Sequence, residues 1–306
     1  MELLKQLTEV RAAASDEVAM KEFLLNYIEG NSQNWKVKPQ IFEGRSFQDC
    51  LVVVFGKPRT AIYAHMDSIG FSTGYDKELI KIGGPRLIDG MQLVGSDSKG
   101  EIETELMVIE SDEGKNIQYV FDREIDRGTI LTFKPDFRET SEYIQSPYMD
   151  NRLGVWNALQ VAETMENGAI VFGTYEEHGG NTVANCARFL MEEFGVYQAL
   201  ISDITWVTEG VGHGGGVAIS MRDSGLPRRS YLNRIIELAK DSGVQYQLEV
   251  ESAGGSDGGV LQKSSLPIDW CFIGAAEDNV HTPDEKVFKS DIASMVQLYK
   301  YLMDHL

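Results

Sequence analysis

The stretch Ala169-Ile-Val-Phe-Gly-Thr-Tyr-Glu-Glu-His-Gly-Gly180 decides the fold, because an uncharged apolar run ends there in two adjacent carboxylates, Glu176 and Glu177. A short apolar run bounded by turn residues is typical of a strand buried on both faces. Ligands bind outside the carboxyl ends of strands in open α/β sheets, so both carboxylates are expected at a binding edge. Since consecutive strand residues point to opposite sides, we expect the two glutamates to do different jobs.

Three other apolar runs end in the same way. The first ends in His65-Met-Asp67, the second ends in Asp203, and the third is followed after a loop by His281. A solvated loop that happens to begin with two acids explains one such run but not four. We therefore predict that four buried strands deliver a histidine or a carboxylate to one edge of one sheet.

The composition is that of a globular protein without a membrane span. The 306 residues suffice for one large domain with a smaller insert, and 42% apolar with 25% charged residues is ordinary for this class. No run approaches ~20 consecutive apolar residues, and the N-terminus lacks the apolar core of a signal peptide, so we expect no membrane partner. A net charge of −19 argues against nucleic acid and favours a site that attracts cations.

The cysteines point to a reducing compartment. Cys50, Cys186 and Cys271 are odd in number, widely spaced and placed in or beside apolar runs. We interpret them as buried thiols of a cytoplasmic protein. A metal-binding role is disfavoured, because no C-x-x-C pair is present.

Strands alternating with helical segments predict a mixed α/β fold with a mainly parallel central sheet flanked by helices. Strands are predicted at 35–39 and 50–55. Helical spacing indicates helices from residue 3 and at 15–30, 153–164, 183–193, 231–242 and 290–306. Between 69 and 144, Gly-Gly, Asp-Gly and Lys-Gly pairs separate short runs, which predicts a small all-β insert of hairpins. The predicted α/β domain therefore comprises residues 1–68 and 145–306, and the inserted β domain comprises residues 69–144.

Five side chains need a common explanation: His65, Asp150, Glu177, Asp203 and His281. Asp150 precedes a predicted helix, so its carboxylate can lie at the start of that helix. Borderline metals accept imidazole and carboxylate, and the absence of thiolate favours a catalytic site. Two imidazoles and three carboxylates are too many for one open four-coordinate ion. They suit two divalent ions that share one bridging carboxylate, and such cations relieve the repulsion among the acids.

Two carboxylates remain for other work. Asp67 lies two residues beyond His65 on the same side of the strand, where it could receive the second ring proton and orient the ring. Glu176 has no metal to hold, so it could take a proton from a metal-activated water and hand it to a leaving amine. The predicted reaction class is metal-assisted hydrolysis.

At these residues the sequence resembles the deblocking or tetrahedral aminopeptidases, a family that includes bacterial glutamyl aminopeptidases. The matching pieces follow the family's order and spacing from about residue 60 onward. They are Ala64-His-Met-Asp-Ser-Ile-Gly-Phe71, Ile82-Gly-Gly84, Met149-Asp-Asn-Arg-Leu-Gly154, Tyr175-Glu-Glu-His-Gly179, Ser202-Asp-Ile-Thr205, Gly254-Gly-Ser-Asp257 and Val280-His-Thr-Pro-Asp-Glu285.

The resemblance implies that Asp150 bridges two ions, that His65 and Asp203 complete one of them, and that Glu177 and His281 complete the other. The ions would be zinc, although cobalt and manganese accept the same ligands.

The resemblance also implies an activity, a metal-dependent aminopeptidase acting on peptides with a free N-terminus, with Glu176 as the general base and Asp67 as the orienting carboxylate. The β insert would be the family's small barrel-like domain, which often serves oligomer assembly, so a homo-oligomer is expected.

The sequence departs from the family at Ser68, where glutamate is common, and at His178, where a small apolar residue is common. Every ligand position remains filled, so the departures bear on substrate preference. His178 is expected either to pack or face water, or to touch substrate or an oxyanion. His213 lies in a glycine-rich segment without the Lys-Ser/Thr of a phosphate loop. We interpret that segment as flexible and able to border the site. Asp257 could support a pocket wall or belong to a plain turn.

Other functions fit parts of this pattern. One is a metal-dependent hydrolase of another amide. A glycan hydrolase, as in relatives named endoglucanases, would pair Glu176 with a second acid. Adjacent residues on one strand rarely face each other at the ~5–5.5 or ~6.5–9.5 Å separations of glycosidase pairs, and the glycosidase scheme gives the histidines no role. A non-catalytic relative predicts decay among the site residues, which is not visible. A serine nucleophile would lack its Gly-x-Ser-x-Gly elbow, and a cysteine nucleophile is disfavoured because the cysteines lie in apolar runs.

Overall fold

The computed structural model describes residues 1–111 and 114–306, where strands and helices alternate along most of the chain. The helices are α1 (Glu2–Glu9), α2 (Val18–Asn31), α3 (Met149–Ala162), α4 (Thr182–Phe194), α5 (Arg229–Ser242), α6 (Asp257–Lys263) and α7 (Lys289–His305). The larger sheet contains β1 (Gln40–Phe42), β2 (Leu51–Phe55), β3 (Thr60–His65), β10 (Arg138–Glu139), β11 (Tyr143–Gln145), β12 (Gly168–Gly173), β13 (Gln198–Trp206), β14 (Val217–Arg222), β15 (Tyr246–Val250), β16 (Asp269–Asp278) and β17 (Lys286–Phe288). The smaller sheet contains β4 (Gly70–Thr73), β5 (Leu79–Ile82), β6 (Gln92–Asp97), β7 (Gly100–Ser111), β8 (Gly114–Val120) and β9 (Ile130–Phe133).

The four apolar runs form adjacent parallel strands in the middle of the larger sheet. Their order is β12, β3, β13, β16, and each neighbouring pair is parallel. His65 pairs with Gly173, and Asp203 pairs with Gly274 on the neighbouring strand. The prediction that these runs are buried parallel strands ending at one edge is confirmed, as is the mixed α/β fold class.

Side chains alternate between the two faces of these strands, as the pleat requires. On β3, Ile62 and Ala64 join the core beneath α1, α2, α3 and α7, whereas Ala61 and Tyr63 join the core beneath α4 and α6. Burial on both faces explains why these strands read as continuous apolar runs. Across the described ranges, no helix is both long and apolar enough to cross a membrane.

The predicted helices are confirmed to within a few residues, and α6 was not predicted. The strand predicted at 35–39 is wrong, since β1 begins only at Gln40. Pro39 has no N–H to donate to a neighbouring strand, and the Lys36 amide donates to Glu163 O instead. All three cysteines are buried and free, as predicted.

The smaller sheet curls into a nearly closed barrel. Its order is β5-β4-β9-β6-β7-β8, and each neighbouring pair is antiparallel. A bridge between Glu78 and Gln118 brings its two edges together around a core that includes Phe71, Leu131 and Phe133. The strands β10 and β11, at 138–145, pair with the larger sheet instead. The domain boundaries at 69 and 144 remain a prediction.

Candidate active site

Three of the predicted ligand residues meet where β3, β13 and α3 approach one another. His65 ends β3, Asp203 lies within β13, and Asp150 occupies the first turn of α3 with an extended backbone. His65 Nε2 lies 3.2 Å from Asp150 Oδ1 and 3.6 Å from Asp203 Oδ2. These side chains form a set whose ligand atoms are close enough to hold one metal ion. We name His65, Asp150 and Asp203 the first ligand group.

A second set adjoins the first through Asp150. His281 Nε2 lies 3.3 Å from Asp150 Oδ2 and 3.3 Å from Glu177 Oε2. These three residues also lie close enough together to hold one ion, and we name them the second ligand group. The two oxygens of Asp150 therefore face one group each. The structure brings together all five residues that the sequence nominated as ligands.

A turn, and not alternation along a strand, directs the two adjacent glutamates toward different histidines. The strand β12 ends at Gly173, and Glu176–His178 form one turn of 3₁₀ helix after Tyr175, whose φ is 65°. The prediction that the two glutamates point apart because they alternate along a strand is therefore wrong, since both lie in a turn after the strand. Glu176 Oε2 lies 3.9 Å from His65 Nε2, whereas Glu177 faces His281.

Asp67 is fully buried between the His65 ring and this turn. Its Oδ1 and Oδ2 accept hydrogen bonds from the amides of Glu176 and Glu177, each at 3.1 Å. Its Oδ1 also lies 3.4 Å from His65 Nδ1. One carboxylate thus contacts a histidine of the first ligand group and fixes the backbone that carries both glutamates.

Burial and mutual charge shift the pKa values at the site. Burial alone would lower the pKa of His65. The carboxylates of Asp203 and Asp150 outweigh burial, so the pKa of His65 lies well above its usual range. Burial also lowers the pKa of His281, yet hydrogen bonds with Asp150 and Glu177 raise it to about 11. Burial raises the pKa of Asp203 and of Glu177, and the Asp150 carboxylate raises both further. Cations bound among these acids would relieve that repulsion.

The donor atoms fit divalent cations. At the site, Glu177 Oε1 is buried without a hydrogen-bond partner among the described residues. Imidazole nitrogens and carboxylate oxygens are the donors that zinc and related metals accept. The residues at the site therefore fit divalent cations of the zinc type.

Sequence reasoning missed the role of Glu285, although it quoted the motif that contains it. Glu285 Oε1 accepts from the His281 amide at 2.8 Å, and Oε2 accepts from the Asp150 amide at 3.1 Å. This buried carboxylate holds the backbone of two members of the second ligand group. A carboxylate four residues after a ligating histidine was the available signal.

Arg152 was also missed. Its guanidinium is fully buried and donates to the carbonyls of Met66, Asp67 and Val10. Burial lowers its pKa to about 10. The side chain ties the end of β3 to the segment after α1.

Glu17, a third residue without a predicted role, holds the glutamate turn from the other side. Its buried Oε1 accepts from the amides of Ser15 and Tyr175 at 3.0 and 3.2 Å. Burial and the Asp67 carboxylate raise its pKa to about 7. No local pattern ties residue 17 to residue 175, so the contact follows from the tertiary fold.

The smaller sheet reaches the site through two glycines after β5. Gly83 donates its amide to His178 Nδ1, and Gly84 O lies 3.0 Å from His281 Nδ1. A Cβ at residue 83 would lie 2.8 Å from Ile69 Cγ2, and one at residue 84 would lie 3.1 Å from His281 Nδ1. Only glycine allows this approach, and His178 serves to anchor it.

A cavity of about 240 Å³ opens beside the two ligand groups. Besides the five ligand residues, it is lined by Gly84, Glu176, Ile204, Thr205, Trp206, Asp223, Glu249, Glu251, Ala253, Gly254, Gly255 and Phe272. Asp257 and His213, which the sequence suggested as possible neighbours of the site, are not among the described residues that line the cavity. Asp257 is buried at the start of α6, and His213 stacks on Phe288 and bonds Asp278. Ser68 is buried and donates to Ala12 O.

Comparisons with known proteins found a matching family and similar chains. A family model described as M42 glutamyl aminopeptidase matches residues 92–298. A protein of Acetivibrio thermocellus, named as an aminopeptidase by inference, is 25% identical over 327 aligned positions, which cover 97% of this chain and 96% of that protein.

Two solved structures share the fold. The Pyrococcus horikoshii TET1 peptidase, described as assembling into a tetrahedron or a large octahedral shell, is 20% identical with a TM-score of 0.81, covering 100% of this chain and 99% of that one. The TET aminopeptidase of a marine-sediment Thaumarchaeota archaeon is 16% identical with a TM-score of 0.85, covering 100% and 96%. The family model spans more than half of the sequence, which confirms the resemblance: this chain belongs to the M42 glutamyl aminopeptidase family.

Proposed function

We propose that the chain is a dinuclear metal-dependent aminopeptidase that removes N-terminal residues from peptides with a free N-terminus. The observation that carries the proposal is the pair of ligand groups that share Asp150 and open onto one cavity. In this proposal the first ligand group holds one divalent ion and the second holds another. We propose zinc, and the same donors would accept cobalt or manganese.

Bound divalent ions would supply a Lewis acid and lower the pKa of water from 15.7 to roughly 7. Glu176 lines the cavity and belongs to neither ligand group. Burial raises the pKa of Glu176 well above its usual range, which suits a group that must both take and return a proton. We assign it the proton transfer from the attacking water to the leaving amine.

Asp67 supports that transfer without touching substrate. It accepts the amide hydrogens of Glu176 and Glu177 and faces His65 Nδ1. A carboxylate on the second ring nitrogen keeps the proton there and leaves Nε2 free to coordinate. Asp67 is thus proposed as the orienting carboxylate.

Chelation and Glu176→Gln together test the proposal. Hydrolysis of an aminoacyl anilide should disappear with chelator and return with zinc, cobalt or manganese. Glu176→Gln should bind the same amount of metal as the native chain and lose turnover by about a hundredfold or more. Glu209→Gln, at an exposed position, is the matched control and should behave like the native chain. Full activity of Glu176→Gln would refute the base assignment, and activity that survives chelation would refute the metal mechanism.

A homo-oligomer is proposed as well, because a TET1 peptidase of the same fold is described as assembling into closed shells. Light scattering of the purified chain measures its assembly directly. A cytoplasmic location remains a prediction from the buried thiols.

A further inference from the structure

The cavity has a second wall beside the ligand groups. Asp223, Glu249 and Glu251 line it, and we name these three residues the acidic wall. None of them belongs to a ligand group, and the proposed proton transfer does not use them.

Two short strands place the acidic wall. β14 and β15 are parallel, with Ser220 opposite Glu249 and Arg222 opposite Val250. Asp223 and Glu251 directly follow the last paired residues, so the two strands bring them out side by side. β14 also pairs with β16, which carries Phe272 at the cavity. The wall is therefore anchored to the same sheet as His65 and Asp203 of the first ligand group.

The carboxylates of the acidic wall have no basic side chain as a partner among the described residues. Glu249 is 3% exposed and Asp223 is 8% exposed. Across residues 1–111 and 114–306, no lysine, arginine or histidine nitrogen lies within 4.0 Å of these three carboxylates. Glu249 accepts from the Thr205 hydroxyl, and Asp223 Oδ1 accepts from the Gly225 amide.

Burial and repulsion within the wall disfavour its charges. Burial raises the pKa of Glu249, and the Glu251 and Asp223 carboxylates raise it further. Burial also raises the pKa of Asp223. The positive charges of Arg222 and Lys263 lower that pKa, but by less than burial raises it. A cation placed among these groups would favour their ionised forms.

Apolar and aromatic residues also line the cavity. Trp206, which is 45% exposed, lines the cavity together with the acids, as do Ile204 and Phe272. Lysine and arginine side chains combine an apolar stem with a cationic head, and both stack on aromatic faces. The combination of aromatic surface and acidic wall matches that shape and charge.

We propose that the acidic wall selects peptides whose N-terminal residue is lysine or arginine, an inference that rests on the proposed aminopeptidase function. An N-terminal glutamate would instead bring a fourth carboxylate to Asp223, Glu249 and Glu251. The proposal therefore separates this chain from the glutamyl preference that its family name describes.

A panel of anilides of lysine, arginine, leucine, alanine and glutamate tests the proposal, with kcat/KM measured for each on the metal-loaded chain. Lysyl and arginyl substrates should exceed leucyl by about tenfold and glutamyl by about a hundredfold. A native preference for leucyl or glutamyl substrates overturns the proposal and leaves the aminopeptidase function standing. Failure to hydrolyse any member of the panel with zinc, cobalt or manganese removes the proposed function, and this inference with it.

Glu249→Gln should lower kcat/KM for lysyl and arginyl substrates about tenfold and leave the leucyl value within about twofold. Equal losses for all substrates would overturn the proposal, because they would mean that the wall binds the α-ammonium group. Glu237→Gln on the exposed face of α5 is the matched control.

Glu251→Lys provides a second variant at a half-buried position, in case Glu249→Gln does not fold. It should lower lysyl hydrolysis and raise glutamyl hydrolysis. Unchanged ratios among the substrates in Glu251→Lys would overturn the proposal.

Discussion

The two ligand groups share Asp150 but are built from different kinds of structure. His65 and Asp203 of the first group lie on neighbouring central strands, and the His65 side chain is 2% exposed. Glu177 and His281 of the second group lie on turns, and the His281 side chain is 25% exposed. The first group is fixed by a hydrogen-bonded sheet, whereas the second depends on individual side-chain contacts.

This difference shows where the site is adjustable. Asn279 and His281 both have positive φ, and Glu285 and Gly84 hold His281 through its amide and its Nδ1. Such contacts can be altered one at a time, while a sheet register cannot. We therefore expect the second group to bind its ion more weakly and to exchange it first.

Asp150→Asn would break both groups at once and should have the largest effect. The shared carboxylate would lose its charge, so kcat should fall by about a thousandfold or more, equivalent to ~4 kcal/mol of transition-state stabilisation. Anilide kinetics and elemental analysis measure the loss of activity and of metal. Asp241→Asn, at an exposed position, is the control. A variant with native activity and native metal content would contradict the shared role of Asp150.

Graded metal removal would sharpen the comparison between the groups. Dialysis against increasing chelator should release the ions in two steps, with affinities that differ by about a hundredfold. His281→Ala should keep the tight step and lose the weak one, whereas His65→Ala should show the reverse. Elemental analysis of each dialysate follows the release. The opposite order of loss would contradict the link between strand support and affinity.

His178→Ala should have the smallest effect, confined to the second group. Without the acceptor for the Gly83 amide, Gly84 would hold His281 less firmly, and the weak step should weaken by about tenfold. His178→Asn offers an amide oxygen near the position of Nδ1 and should restore the affinity. Isothermal titration with zinc measures both variants. An equal effect on the tight step would show that His178 acts on general stability.

Most of the first group follows from sequence, because a buried strand shows itself as an apolar run and the first histidine or carboxylate after that run is readily identified. His65 and Asp203 were found in this way. Glu177 and His281 were also named from sequence, but the 3₁₀ turn at Glu176–His178 was not predicted, since such a turn has no periodic pattern. Contacts between distant segments were out of reach, as with Glu17 and Tyr175. They depend on tertiary packing, which no local spacing encodes.

The buried guanidinium of Arg152 has a consequence for the charge balance of the centre. With a pKa of about 10 it stays protonated at neutral pH, and its bonds to three carbonyls hold it beneath the acidic residues. Part of the negative charge at the centre is thus balanced by the polypeptide itself. The folded centre therefore carries less uncompensated negative charge than its acidic side chains alone would give it.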